Sequence, residues 1–412
     1  MTENQAPPRR YGLYYSPDAG PYRQADLEAY LPILQTIGAG WLVLRSTASR
    51  AVPEDFVTGL LEADIQPLIH LAPPLDVPLA EVQPLLRAYA RWGVRYVALF
   101  DRPNRREVWG RAWAKPDLPG RFLDAFQPLA EAALAEGLTP LFPPLEPGGD
   151  YWDLAFLRAA LEGLKRRAPD LAEHIVLSAL AWSEGKPLDW GAGGPEIWPQ
   201  AQPYHTPPES QDHRGFHIFD WYTAEARAAL GHVPSIFLLG MGSRYGREPD
   251  EEVTSKNQAI ADRFWENNLP ENIMGGAFWV LTAPATHPEA QAAWISPEGK
   301  ARPIIDALRP ETHAAHGFPT DFAATGHTYI LLPRFEQGVP PHYLSAALPW
   351  LQSGSATVGF HVAEALQADQ IIVLGQTKDY PPQTLAALRT AAKPIRWIPV
   401  AGTEVASSQP TH

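Results

Sequence analysis

Three groups of side chains in this 412-residue chain have types and spacings that could do chemistry. The first is Asp101-Arg102-Pro103-Asn104, directly after the apolar run Tyr96-Val97-Ala98-Leu99-Phe100. A β-forming run that meets proline cannot continue its ladder, so the charged residues there are delivered to the end of a strand. The second group is a set of carboxylates that follow other apolar runs. Glu146 stands in Pro143-Pro144-Leu145-Glu146-Pro147 and Glu184 in Ala181-Trp182-Ser183-Glu184, with Asp189 and Glu196 shortly after. Acid–base cleavage of a sugar bond uses two carboxyl groups, about 5–5.5 Å apart in retaining enzymes and about 6.5–9.5 Å apart in inverting ones. Asp101, Glu146 and Glu184 are the candidates for such a pair. The third group is aromatic: Trp182, Trp190, Trp198 and Tyr204 surround Gly191-Ala192-Gly193-Gly194, with His205 and His213 close by. Aromatic faces cover the apolar C–H faces of sugar rings while neighbouring polar groups bond the hydroxyls. The same tryptophans could instead pin a long loop to the body of the protein.

Arg45, at the end of the run 41–44, and His70, near the end of 66–71, stand at strand ends as Asp101 does. Two guanidinium groups, Arg45 and Arg102, favour an anionic partner such as a uronate, sulfate or phosphate. The alternative is that Arg102 neutralises Asp101 and a loop carboxylate. His213 and His217 have the i,i+4 spacing that can hold zinc, but no Glu follows His213 as it would in a metalloprotease, so neither metal nor cofactor is expected. A phosphate-cradling glycine loop, a serine nucleophile elbow and a basic stripe are all missing.

The elements that must position these groups alternate. Strands are expected at 11–15, 41–44, 66–71, 96–100, 139–142, 175–182, 235–239 and 276–281. Helices are expected at 26–37, capped by Asp26, and at 53–62, 79–92, 121–136, 151–167, 216–230, 255–267 and 300–308. With no Asn-Gly or Asp-Gly hairpin between the strands, the pattern implies a parallel sheet with right-handed crossovers. Eight alternations within residues 1–309 fit a (β/α)8 TIM barrel. An open doubly wound sheet would carry a glycine-rich phosphate turn after the first strand, and none is present. The stretch 183–214 is too long to be an idle connection. Residues 310–326 have the composition of a linker, and 327–406 read as a small three-layer α/β accessory domain. Its expected parts are short apolar segments at 328–332, 357–360, 362–366, 370–374 and 395–399, with helices at 343–351 and 383–391. Residues 407–412 are expected to be a disordered tail.

Composition narrows the partners. A net charge of −13 and a pI near 5.5 argue against nucleic acid and anionic membranes. No apolar run approaches the ~18 residues of a bilayer span. The first residues carry no hydrophobic signal region, so a cytoplasmic location is expected, or an extracellular or cell-surface one if a leader has been removed. The absence of cysteine excludes disulfides and thiolate metal sites. The 44 prolines, about twice ordinary usage, with no cysteine and three methionines, form a composition associated with heat tolerance. Nothing in the sequence speaks to oligomeric state.

From the fourth strand onward the chain resembles the large clan of retaining (β/α)8 glycoside hydrolases. In that clan strand 4 commonly ends Asn-Glu-Pro, the Glu being the general acid/base, and strand 7 ends in a second Glu, the nucleophile. Here Asp101 falls at the Asn, Arg102 at the acid/base, and Gly240, in Leu238-Leu239-Gly240-Met241-Gly242, at the nucleophile. Trp279 matches the Trp that ends strand 8 and floors the sugar subsite, and Trp294-Ile295-Ser296-Pro297-Glu298-Gly299-Lys300 matches the closing turn. Arg45 matches a strand-2 Arg beside the nucleophile. The resemblance implies a carbohydrate ligand, with Arg45, His70, Asp101, Arg102, Asn104, Trp182, Glu184, Trp190 and Trp279 as binding residues. Arginine neither gives nor takes a proton near neutrality, and glycine offers no nucleophile, so a catalytically degenerate, carbohydrate-binding barrel is expected. The alternatives are an active glycosidase using Asp101, Glu146 and Glu184, and a structural or scaffold protein with a blocked mouth. The segment Ala368-Asp369-Gln370-Ile371-Ile372-Val373-Leu374-Gly375 faintly resembles type-2 cell-wall-binding repeats.

Overall fold

The computed structural model describes residues 10–20, 22–309, 327–335, 338–351, 356–375, 379–389, 393, 395–398 and 400. Eight strands, β1 (Tyr11–Tyr14), β2 (Trp41–Ser46), β3 (Gln66–Leu71), β4 (Tyr96–Leu99), β5 (Thr139–Phe142), β6 (Val176–Trp182), β7 (Ile236–Gly242) and β8 (Ile273–Phe278), close in chain order into a barrel. Neighbouring strands are parallel, and β8 pairs back onto β1. Closure leaves no sheet edge, and the helix between each pair of strands covers its outer face.

A strict alternation builds the two sides of the barrel wall. Val43, Leu68, Ala98, Leu141, Val176, Phe237 and Ala277 fill the interior. Leu42, Leu44, Ile69, Leu71, Val97 and Leu99 face out into the layer shared with the helices. Because side chains alternate with a period of two, the next inward positions on β2 and β3 are Arg45 and His70. The strand register pairs Arg45 with His70, and His70 with Ala98. Polar groups therefore stand on an apolar plug at the C-terminal mouth, the end where barrels of this kind assemble sites.

Several boundaries differ from the sequence reading. Asp26 is not the cap of the first helix, Gln24–Thr36; it sits one position past the first two helical residues and accepts from the Arg23 backbone N–H at 3.1 Å. The helix Asp250–Trp265 starts earlier than 255, its acidic first turn of Asp250, Glu251 and Glu252 suiting the positive end of the helix dipole. Strand β7 continues to Gly242 because Gly240, Met241 and Gly242 pair with Leu180, Ala181 and Trp182 across a bulge. Strand β8 begins at Ile273, and Val280 and Leu281, beyond its end, are buried without being part of it.

The chain divides into two compact units after Arg309. In the second, β9 (Thr328–Leu331), β10 (Ala356–Gly359), β11 (Gln370–Leu374) and β12 (Ile395–Ile398) form a parallel sheet in the order β10-β9-β11-β12. Alternate residues of β9 and β11 are buried on opposite faces, Tyr329, Leu331, Ile371 and Val373 on one and Ile330, Ile372 and Leu374 on the other. A sheet buried on both faces is the centre of a three-layer domain. The segment 362–366 holds a short helix, Val362–Ala365. The expected linker 310–326 and tail 407–412 lie outside the described residues. Among the described residues no helix is long and apolar enough to cross a membrane.

Candidate functional site

Asp101 is the centre of the mouth. Both terminal nitrogens of Arg45 donate to its Oδ2 at 3.1 Å. Arg102 donates from Nε to Oδ1 at 3.1 Å and from Nη2 to Oδ2 at 3.2 Å. Burial pushes this carboxyl up, but attraction to the charged His70 form and to the Arg45 and Arg102 guanidinium groups outweighs it and holds Asp101 well below the usual carboxylate range. The remaining edge of Arg102 reaches Glu146, with Nη1 donating to Oε2 at 3.2 Å. Two arginines and two carboxylates thus form one connected chain of ion pairs.

The backbone that presents them is strained. Phe100 and Arg102 lie in the left-handed region, with φ of 67° and 44°, a conformation that costs a non-glycine residue about 1–3 kcal/mol. It is held by the Phe100 N–H on Leu71 O at 2.8 Å and the Arg102 N–H on Pro144 O at 3.0 Å. The Phe100 ring packs outward on Phe122, which turns the following carboxylate into the mouth. His70 completes the brace. Its Nε2 lies 2.8 Å from the Phe100 carbonyl, which can only accept, so Nε2 carries the hydrogen and Nδ1 accepts from the Tyr14 hydroxyl at 2.7 Å. Burial, then the nearby Arg45 charge, lowers the imidazole to about 4. Burial raises the Tyr14 hydroxyl to about 12. Both groups are neutral at neutral pH.

Aromatic rings form the other half of the mouth. Trp279 follows β8, donates from Nε1 to Glu289 Oε2 at 3.0 Å, and packs 4.7 Å from Tyr14 and 6.1 Å, edge to face, from Trp182. Trp182 ends β6 and lies across Gly240. A Cβ on Gly240 would stand 2.3 Å from Cη2 and 2.6 Å from Cζ2 of that indole. Position 240 has no room for a side chain while Trp182 stays where it is. The Arg244 guanidinium lies over Trp182, 4.5 Å from the ring centre, and Arg244 donates to Glu184 at 2.7 Å.

The structure brings Arg45, His70, Asp101, Arg102, Glu146, Trp182 and Trp279 together, with Glu184 joined through Arg244. Two residues expected as ligand contacts are placed otherwise. Asn104 is fully buried, its amide donating to Glu146 O and Tyr151 O at 2.9 and 3.0 Å and accepting from the Glu146 N–H at 2.8 Å. It clamps the turn after β5, with every group of its amide occupied. Trp190 donates to Asp212 Oδ1 at 3.1 Å beneath the Lys186 ammonium, 4.7 Å from its ring, and so holds the 183–214 loop together. His213 and His217 turn to different carboxylates, Asp153 at 2.8 Å and Asp220 at 2.9 Å. Among the described residues no three His, Asp or Glu side chains are grouped to hold a metal ion. Sequence reasoning missed Tyr14 and Glu289. Counting by twos along β1 would have placed Tyr14 inward; nothing local marks Glu289.

No family model matches this sequence, and no curated protein matches it. Solved structures are similar to it in fold. They include a family 39 glycoside hydrolase from Bacteroides cellulosilyticus WH2, at 13% identity and TM-score 0.49 over 78% of this chain and 65% of that one. A GH128 (subgroup II) endo-beta-1,3-glucanase from Sorangium cellulosum aligns at 12% identity and TM-score 0.44 over 73% of this chain and 97% of that one. An endo-beta-1,4-glucanase from Xanthomonas axonopodis pv. citri aligns at 14% identity and TM-score 0.42 over 73% and 98%. The chain therefore spans 65% of the length of the family 39 enzyme. These likenesses are of fold alone, the eight-stranded parallel barrel, and say nothing of chemistry.

Proposed function

We propose that this chain is a glycoside-hydrolase-like barrel that binds carbohydrate at its C-terminal mouth and does not cleave it. The observation that carries this reading is the pair of positions from which a clan member would act. Arg102, at one, is bound to Asp101 and Glu146; Gly240, at the other, lies under the Trp182 indole. Arginine stays protonated throughout the physiological range and cannot serve as general acid or base. Asp101 is held ionised and has no proton to give a leaving group. Glu146 and Glu184 each face an arginine. Trp279, partly exposed beside Trp182 and Tyr14, supplies the flat apolar surface on which a pyranose ring stacks, with the Glu289 carboxylate beside it for hydroxyls.

The test has two arms on the full-length protein. Against a panel of aryl-glycosides and polysaccharides, hydrolysis stays at background. Against the corresponding oligosaccharides, calorimetry detects binding, and Trp279→Ala weakens it about tenfold, the loss of roughly 1–1.5 kcal/mol of aromatic contact. Turnover that disappears in Asp101→Asn, Glu146→Gln or Glu184→Gln would overturn the reading in favour of an active glycosidase with relocated carboxylates.

A further inference from the structure

On the β2–β4 side of the mouth, a hollow of about 200 Å³ opens beside Asp101, lined among others by Arg45, Arg102, Arg105, Glu107 and Val108. Its charge runs against that of the whole chain. The protein carries −13, whereas this lining holds Arg45, Arg102 and Arg105 against the carboxylates Asp101 and Glu107. Within the hollow the arginines do not have equal freedom. Arg45 and Arg102 are fixed on Asp101, which is itself only 15% exposed. Arg105 Nη2 lies 3.1 Å from Glu107 Oε1 in an ion pair that faces water, with the side chains 32% and 65% exposed. A solvent-facing pair of this kind contributes little and exchanges readily, and each guanidinium has five N–H donors in a planar fork suited to a carboxylate.

We infer that this hollow is an acidic-sugar subsite, in which the carboxylate of a uronic acid residue displaces Glu107 from Arg105. Glu107 acts as a built-in stand-in that keeps the guanidinium oriented in the free protein. The buried Asp101 sets the reach of Arg45 and Arg102, so the hollow presents fixed, ion-paired guanidinium groups and one exchangeable position at Arg105. Its volume suits the charged end of one sugar and leaves the rest of a chain to the Trp279 side of the mouth. The inference rests on the carbohydrate-binding reading and adds the ligand class.

The experiment compares matched ligands on the full-length protein: oligomers of galacturonate, glucuronate and mannuronate, each beside its carboxyl-reduced neutral twin. The expected result is that at least one acidic oligomer binds about tenfold tighter than its twin, a charge-assisted bond's worth of affinity. Arg105→Ala removes that ratio, Glu107→Gln raises it several-fold because the competing carboxylate is gone, and added salt lowers it. Equal affinity for acidic oligomers and their twins would overturn the acidic subsite and leave carbohydrate binding standing. A ratio unchanged by both variants would overturn it too. Binding to neither member of any pair would count against both readings.

Discussion

His70 and Asp101 fix how the mouth responds to acid. The imidazole titrates near its ordinary value of 6.5 in the unfolded chain and near 4 in the folded one. Between those values the unfolded chain binds more protons, so stability is complete above about pH 6.5 and falls as the pH drops towards 4. The loss amounts to about 3 kcal/mol. Asp101 is displaced the same way, below its ordinary value of 3.8. Its contribution is present above that value and is lost only as the pH falls further, so the acid limb has two stages. Denaturant titrations at pH 7, 5.5 and 4 should show this first stage in the natural protein and a flatter dependence in His70→Gln. Parallel pH profiles for the two would mean that burial of the His70 imidazole does not set this limb. At this scale Asp101 and Arg102 were legible because proline ends a strand next to them. Asn104, two residues on, was not: adjacency in sequence says nothing of direction, and its amide turns inward to backbone.

The long connection after β6 gathers several of its groups on one carboxylate. Asp212 is nearly inaccessible and accepts from Lys186 Nζ at 3.2 Å, Trp190 Nε1 at 3.1 Å, Thr206 Oγ1 at 2.7 Å and the Arg214 N–H at 3.0 Å. Burial pushes that carboxyl up, but these donors and the Arg214 guanidinium more than reverse it. Asp212→Ala leaves Trp190 without its acceptor and Lys186 with only the Arg214 carbonyl, at a cost of about 2–3 kcal/mol. Hydrogen exchange should rise across 186–214 while the amides of β1 to β5 keep their protection; uniform exchange across the barrel would mean the loop is not a separate unit. The sequence made this stretch recognisable as a long, tryptophan-rich connection, but the aspartate on which its groups gather has no local signature. Strand β7 was read short for a related reason. Gly240 and Gly242 lack strand propensity, and only pairing with β6 draws them into the sheet.

Across the whole molecule, eight apolar runs separated by amphipathic stretches were enough to read the barrel, because parallel strands buried on both faces leave a strong signal. Closure, register and the inward direction of Arg45 and His70 are collective properties that no single stretch displays. Each unit builds its core from its own residues: the barrel's buried clusters run from Tyr11 to Leu308, and those of the second sheet from Tyr329 to Val400. A chain ending at Arg309 should therefore fold and unfold in one cooperative thermal transition, followed by circular dichroism. A molten, non-cooperative product would show that the barrel's core is incomplete without the second unit.

The indole across Gly240 also bears on how this mouth can change over time. A carboxylate placed at that position by one substitution meets a ring already in place, so under the function proposed above the first step towards cleavage is a loss of packing. Trp182 would have to shrink or swing aside beforehand, and Arg102 would have to yield to an acid as well. On that reading the three changes are coupled, and none of them brings cleavage without the others.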